Sequence, residues 1–124
     1  MKSVGFFREL GHGAPDGQSL HVVRGKGAYE VGEVAGYLRG ADVVAASAGA
    51  AYDVLSDDPT PIGGLNIHTD GEWVWPSDLA FYVEKYNVEL PEELVTRIKE
   101  SFGVPSPVSE KRMSEITDSS RREY

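Results

Sequence analysis

The 124-residue chain has no cysteine, which excludes disulfides, thiolate metal sites and cysteine nucleophiles together. It opens without a basic start followed by an apolar run long enough for secretion or membrane insertion, so a cytoplasmic protein is the expectation. Histidine is scarce: His12, His21 and His68 are the only imidazoles, and neither His-x-x-x-His nor Glu-x-x-His occurs, so no metal site is expected. A Gly-x-Ser-x-Gly elbow is missing as well; Ser47-Ala48-Gly49-Ala50, after an apolar run, is the nearest approach to a reactive turn. Gly11-His12-Gly13 and Gly25-Lys26-Gly27 lack the spacing and flanking elements of a phosphate loop or dinucleotide fingerprint, and surface turns account for both. No cofactor is expected. Clustered Lys and Arg are confined to Lys111, Arg112, Arg121 and Arg122, which argues against nucleic acid as a partner, since phosphate neutralisation supplies most of that affinity.

What the chain does have is negative charge, unevenly placed. The net charge is −8. Residues 1–40 and 101–124 are close to neutral, whereas residues 41–100 carry twelve acids against Lys85, Arg97 and Lys99, a balance of −9. Such a segment repels phosphate and favours encounter with a basic protein, although an acidic surface often serves solubility alone. Apolar residues make up 40 % and charged residues 26 %, a globular composition. A single domain over 1–103 is expected, followed by a polar tail, 104–124, that is rich in serine, carries two prolines and is expected to be flexible. A short helix around 109–117 is the one element the tail offers.

Local patterns give an α+β expectation. Residues 4–10 read as a strand bounded by the turn-rich run from Gly11 to Gly17, and Leu20–Arg24 as its hairpin partner. Val31, Val34, Ala35 and Leu38 recur at helical spacing, predicting a helix over about 29–39 with Gly40 as a positive-φ cap. Residues 42–47 form a short apolar run suited to a buried, central strand, and residues 48–64 read as a surface loop. The clearest signal follows. Leu65, Ile67 and Thr69 alternate with Asn66 and His68, Asp70-Gly71 intervenes, and the alternation resumes through Trp73, Val74 and Trp75. A type I′ turn at Asp-Gly would set Thr69 opposite Glu72 and Ile67 opposite Val74, leaving His68, Asn66, Trp73 and Trp75 on the other face. Ser77 stands as an N-cap with Asp78 beside it, ahead of a helix striped with Leu79, Tyr82, Val83 and Tyr86 that stops near Asn87. A second helix opens at Pro91-Glu92-Glu93, is striped with Leu94, Val95, Ile98 and Phe102, and ends at Gly103. The sum is a mainly antiparallel sheet of four or five short strands covered by about three helices.

The stretch Thr69-Asp70-Gly71-Glu72-Trp73-Val74-Trp75-Pro76-Ser77-Asp78-Leu79-Ala80, with Phe81-Tyr82 and Leu90-Pro91-Glu92-Glu93 beyond it, resembles a widespread group of small uncharacterised bacterial proteins. In that group an Asp-Gly-x-Trp-x-Trp-Pro hairpin precedes a helix with an aromatic pair and then a Leu-Pro-led helix. Phe6, Arg8, Glu9, Leu10 and Tyr37-Leu38-Arg39-Gly40 share in the likeness, which covers most of residues 5–102 and brings no catalytic residue with it. Toxin-neutralising immunity proteins are comparable in size and acidity alone.

Two functional expectations follow. Trp73 and Trp75 share a face, which either packs on a helix or forms a partly exposed recognition surface. Neighbours on a helix diverge by about 100°, so one of Phe81 and Tyr82 should lie at the surface. With the acids nearby, the first expectation is a noncatalytic protein-binding module, of immunity or regulatory type, engaging a basic protein through Asp70, Glu72, Trp73, Trp75, Asp78, Phe81 and Glu84. The second is a small enzyme or small-ligand-binding protein whose pocket lies between the His12 loop and the tryptophan hairpin, with His12, Asp16 and His68 as its polar groups.

Overall fold

The computed structural model describes residues 2–58 and 60–123, with side chains for all of these except 47, 48 and 119–123. In chain order the elements are β1 (Lys2–Ser3), α1 (Leu20–Val23), α2 (Val31–Gly40), β2 (Asp42–Tyr52), β3 (Pro61–Thr69), β4 (Trp73–Pro76), α3 (Leu79–Tyr86), α4 (Glu92–Glu100) and α5 (Glu110–Glu123). The strands form a mixed sheet in the order β1-β4-β3-β2, antiparallel except where β1 runs parallel to β4, and the fold is α+β as the patterns predict.

The hairpin between β3 and β4 forms, in a wider register than the type I′ turn implies. Thr69 faces Val74, His68 faces Trp75 and Ile67 faces Pro76, so every pairing is displaced by two residues. The cause is the Asp70 side chain, whose Oδ1 accepts from the N–H groups of Glu72 and Trp73 and so closes a longer loop. Gly71 alone in that loop has positive φ, at 99°. Because side chains alternate with a period of two, a two-residue displacement keeps every residue on its expected face. His68 and Trp75 remain together, their rings stacked with centroids 6.4 Å apart.

That face is the core. Trp75 is fully buried between Tyr37 and His68 and donates from Nε1 to the carbonyl of Leu38, while Trp73 is buried beneath the Lys2 ammonium. Val34, Ala35, Tyr37 and Leu38 of α2 and Leu79, Ala80, Tyr82 and Val83 of α3 supply the facing helical surfaces. Leu94 and Ile98 of α4 complete them, and Val95 packs against their edge. The helix stop at Asn87 is as expected: its φ is 46°, its N–H returns to the Val83 carbonyl, and its side chain donates to Gly27.

Elsewhere local chemistry is overruled. Residues 4–10 form no strand beyond β1; the chain from Val4 to Ser19 winds into turns, with Ala14 N–H on the Phe6 carbonyl and Arg8 N–H on the Gln18 carbonyl. Leu20–Arg24 is no hairpin partner either. Ser19 caps α1 by accepting from His21 N–H, and the Glu9 carboxylate accepts from the Ser19 hydroxyl and Leu20 N–H, satisfying donors that a helix start leaves free. Gly40 is the last residue of α2 with ordinary φ, because the chain turns straight into extended Ala41 (φ −72°, ψ 156°) and needs no left-handed residue.

The 42–47 run belongs to an 11-residue strand, β2, that lies at the sheet edge, not its centre; its end and the start of β3 take in both ends of the expected 48–64 loop. Val43 is 47 % exposed. A run dominated by alanine offers too little side chain to fill two faces, and the register shifts along β2 roughen an edge that would otherwise invite pairing. Ser77 does not cap α3: its hydroxyl donates to the Gly64 carbonyl and accepts from Asn66 N–H, tying the helix entrance to β3. Phe102, expected in the α4 stripe, takes φ 55° and stands 85 % exposed, since the helix has already ended. The tail is helical over α5, where Ile116 is buried, Arg112 Nε donates to the Gly71 carbonyl and Val108 N–H donates to Asp42. No helix among the described residues is long and apolar enough to cross a membrane.

Candidate functional site

The acidic and aromatic surface expected around the hairpin is not assembled. Trp73 and Trp75 are core residues, because the β4 face that carries them is the one covered by α2 and α3. Asp70 and Asp78 are buried, with 3 % and 1 % exposure. Phe81 is half-buried, edge-on to fully buried Tyr82. Glu72 and Glu84 do lie at the surface, each spoken for by a cation: Glu72 stands 3.3 Å from Arg97 and Glu84 pairs with Arg39. Four of the seven expected contact residues are thus closed to a partner.

Asp70 is the centre of a structural network. Its Oδ2 accepts from the Tyr37 hydroxyl and from Arg97 Nε at 2.8 Å, and its Oδ1 takes the two backbone N–H groups of the hairpin loop. Burial opposes its charged form, but the four donors outweigh that, and its carboxyl sits below the usual 3.8. The Tyr37 phenol is pushed up, first by burial and then by the neighbouring carboxylate. Nothing in this network is left open to a ligand. Asp53, also buried, is similarly occupied: Lys85 Nζ and the Tyr86 hydroxyl donate to Oδ2, and Leu55 N–H donates to Oδ1.

Asp78 is different. Its side chain is wholly buried, it makes no capping bond to α3, its oxygens have no hydrogen-bond partner among the described residues, and His12 Nε2 stands 2.8 Å from Oδ2. The alignment of that contact is poor for a hydrogen bond even though the distance is short, so it is a close charge–dipole contact. The His12 side chain, 20 % exposed, lines a half-open cleft of about 270 Å³. The other walls are Leu10 and Gly11 from the same loop and Ala50, Ala51, Tyr52, Val54 and Leu65 from the β2–β3 hairpin.

Helix α3 contributes no lining residue, but its first turn contacts both walls of the cleft. Asp78 and Tyr82 stand one helical turn apart and therefore on one face. Asp78 holds His12 on the first wall. Tyr82 holds the second, donating to the Tyr52 carbonyl and accepting from Val54 N–H, and burial raises its phenol to about 12. The His12 loop is itself tightly wound. A Cβ on Gly13 would lie 1.8 Å from the Phe7 carbonyl oxygen, so only glycine fits beside His12.

Of the second set of expected residues, only His12 reaches the cleft. Asp16 is exposed, and His68 is engaged elsewhere, its Nδ1 2.9 Å from the Ala41 carbonyl and its ring on Trp75. The side chains of Ser47 and Ala48, the nearest approach to a reactive turn, lie outside the described residues, as do those of Arg121 and Arg122. Among the described residues no group of three or more His, Asp or Glu side chains is placed to hold a metal ion. Sequence patterns did not single out Asp53, Tyr37 or Arg97, nor the pairing of His12 with Asp78. Comparison with protein-family models, curated proteins and solved structures finds no match to this chain.

Proposed function

We propose that the protein binds a small ligand in the cleft between the His12 loop and the β2–β3 hairpin. The observation that carries this is the position of His12: one imidazole in a mainly apolar lining without charged side chains, beside a buried carboxylate whose oxygens have no hydrogen-bond partner among the described residues. Ligand sites combine apolar walls with a few placed polar groups, and the volume, just under the usual 300–1,000 Å³, suits a molecule of fragment size. The protein-binding alternative has lost the exposed indoles on which it depended. Saturation-transfer NMR of the full chain with a set of small apolar fragments tests the proposal. Binding is expected in the unmodified chain and loss of it in Ala50→Trp, which fills the cleft from an exposed position. Equal binding by both chains, or none by either, overturns it.

A further inference from the structure

The polar contact in this cleft also has a direction. An imidazole set against a carboxylate keeps its proton on the nitrogen that faces the carboxylate, and in the neutral ring the other nitrogen then carries a lone pair. Here Nε2 stands 2.8 Å from Asp78 Oδ2 without an aligned hydrogen bond, yet a nitrogen lone pair at that distance would be repelled by the carboxylate, so in the neutral ring the proton sits on Nε2 and Nδ1 is the acceptor. The remaining lining offers no charged side chain: Leu10, Gly11, Ala50, Ala51, Tyr52, Val54 and Leu65 supply neither a carboxylate for an ammonium nor a guanidinium for an anion. A charged group placed there would be desolvated without a counter-ion, and the net charge of −8 further disfavours an anion.

We propose that the cleft selects an uncharged molecule with an apolar body and one hydroxyl, which donates to Nδ1 of His12 while Asp78 holds the ring as the Nε2–H tautomer. This rests on the cleft being a ligand site, and it adds what that ligand must carry. The selectivity follows from the cost of leaving a buried polar group unpaired: a ligand without the hydroxyl would cover Nδ1 and give it no donor.

Long-range ¹H–¹⁵N spectra of the labelled full chain at neutral pH report the tautomer directly, and titrations with phenol, toluene and benzoate report selectivity. The expected free chain shows the proton of His12 on Nε2. Phenol is expected to move the Leu10, Ala50 and Leu65 signals and the His12 Nδ1 shift, with a Kd roughly tenfold below that of toluene or benzoate. His12→Phe is expected to bring phenol to the level of toluene; should that chain not fold, Asp78→Asn, which frees the ring to exchange tautomers, is expected to weaken phenol several-fold. A proton on Nδ1 in the free chain, equal affinities for phenol and toluene, or a preference for benzoate overturns the hydroxyl inference while the cleft stands. Silence of the Leu10, Ala50 and Leu65 signals to all three probes overturns the cleft itself.

Discussion

Asp70 and Asp78 flank strand β4 and are equally hidden, their side chains without solvent exposure, yet one carboxylate accepts four hydrogen bonds and the other faces a single imidazole. A buried carboxylate is costly unless its lone pairs are filled. At Asp70 the filling comes from α2, α4 and the hairpin loop, so the charge ties three elements together. At Asp78 neither oxygen has a hydrogen-bond partner among the described residues, and a loop imidazole on the wall of a cleft stands 2.8 Å from Oδ2, so the same kind of group is left facing an imidazole. The contrast separates a carboxylate that ties the fold together from one that faces a cleft.

The largest effect that would sharpen this contrast is expected at Asp70. Asp70→Ala leaves Arg97, Tyr37 and two backbone N–H groups without their acceptor and should cost about 3–5 kcal/mol in urea unfolding. The same residue sets acid sensitivity. Its folded pKa is lowered from 3.8, so its contribution is complete above that value and is lost as pH falls through the lower native one. Asp53 and Glu9, also lowered, where donors together overcome the effect of burial, act in the same direction. Unfolding stability should therefore fall steeply below about pH 4, and less steeply in Asp70→Asn. Gly13→Ala comes next. Relief of its contact with the Phe7 carbonyl displaces the loop, at about 1–3 kcal/mol, and the His12 ring signals should shift with it. Asp78→Asn should change stability by less than about 1 kcal/mol, because the partner left behind is a partly exposed imidazole, while still altering the His12 tautomer. A loss as large as that at Asp70 would abolish the distinction. Lys2→Ala removes an exposed pair with Glu93 and the ammonium over Trp73, and should lower stability only slightly in urea unfolding.

The elements with strong local chemistry were legible: α2 from its apolar spacing, α3 from its stripe and Asn87 stop, and the β3–β4 hairpin from alternation around Asp70-Gly71. The hairpin register was not, because a side-chain carboxylate, not backbone geometry, determines the loop. Nor was β2, where alanines carry no signal of how far a strand runs or which edge it occupies. Ser19 and Glu9 make a helix of a segment whose own residues read as strand, a tertiary effect that no window over Leu20–Arg24 contains. The site failed for a similar reason. His12 was visible as a rare residue in a glycine-rich turn, but its partner lies far along the chain, beside a serine that looked like the cap. Only the diversion of Ser77 to β3 leaves Asp78 free to face the loop.

The parallel pairing of Lys2 with Trp73 and Ser3 with Val74 has a consequence for how the chain comes together. Joining ends so distant along the polypeptide is slow, and during synthesis the earlier segment emerges well before its mate. The loop bearing His12 follows directly on β1, and the carboxylate that steadies it comes later than Trp73. A nascent chain halted before β4 therefore holds its imidazole without the carboxylate that faces it, and the cleft waits for a segment made long after its own loop.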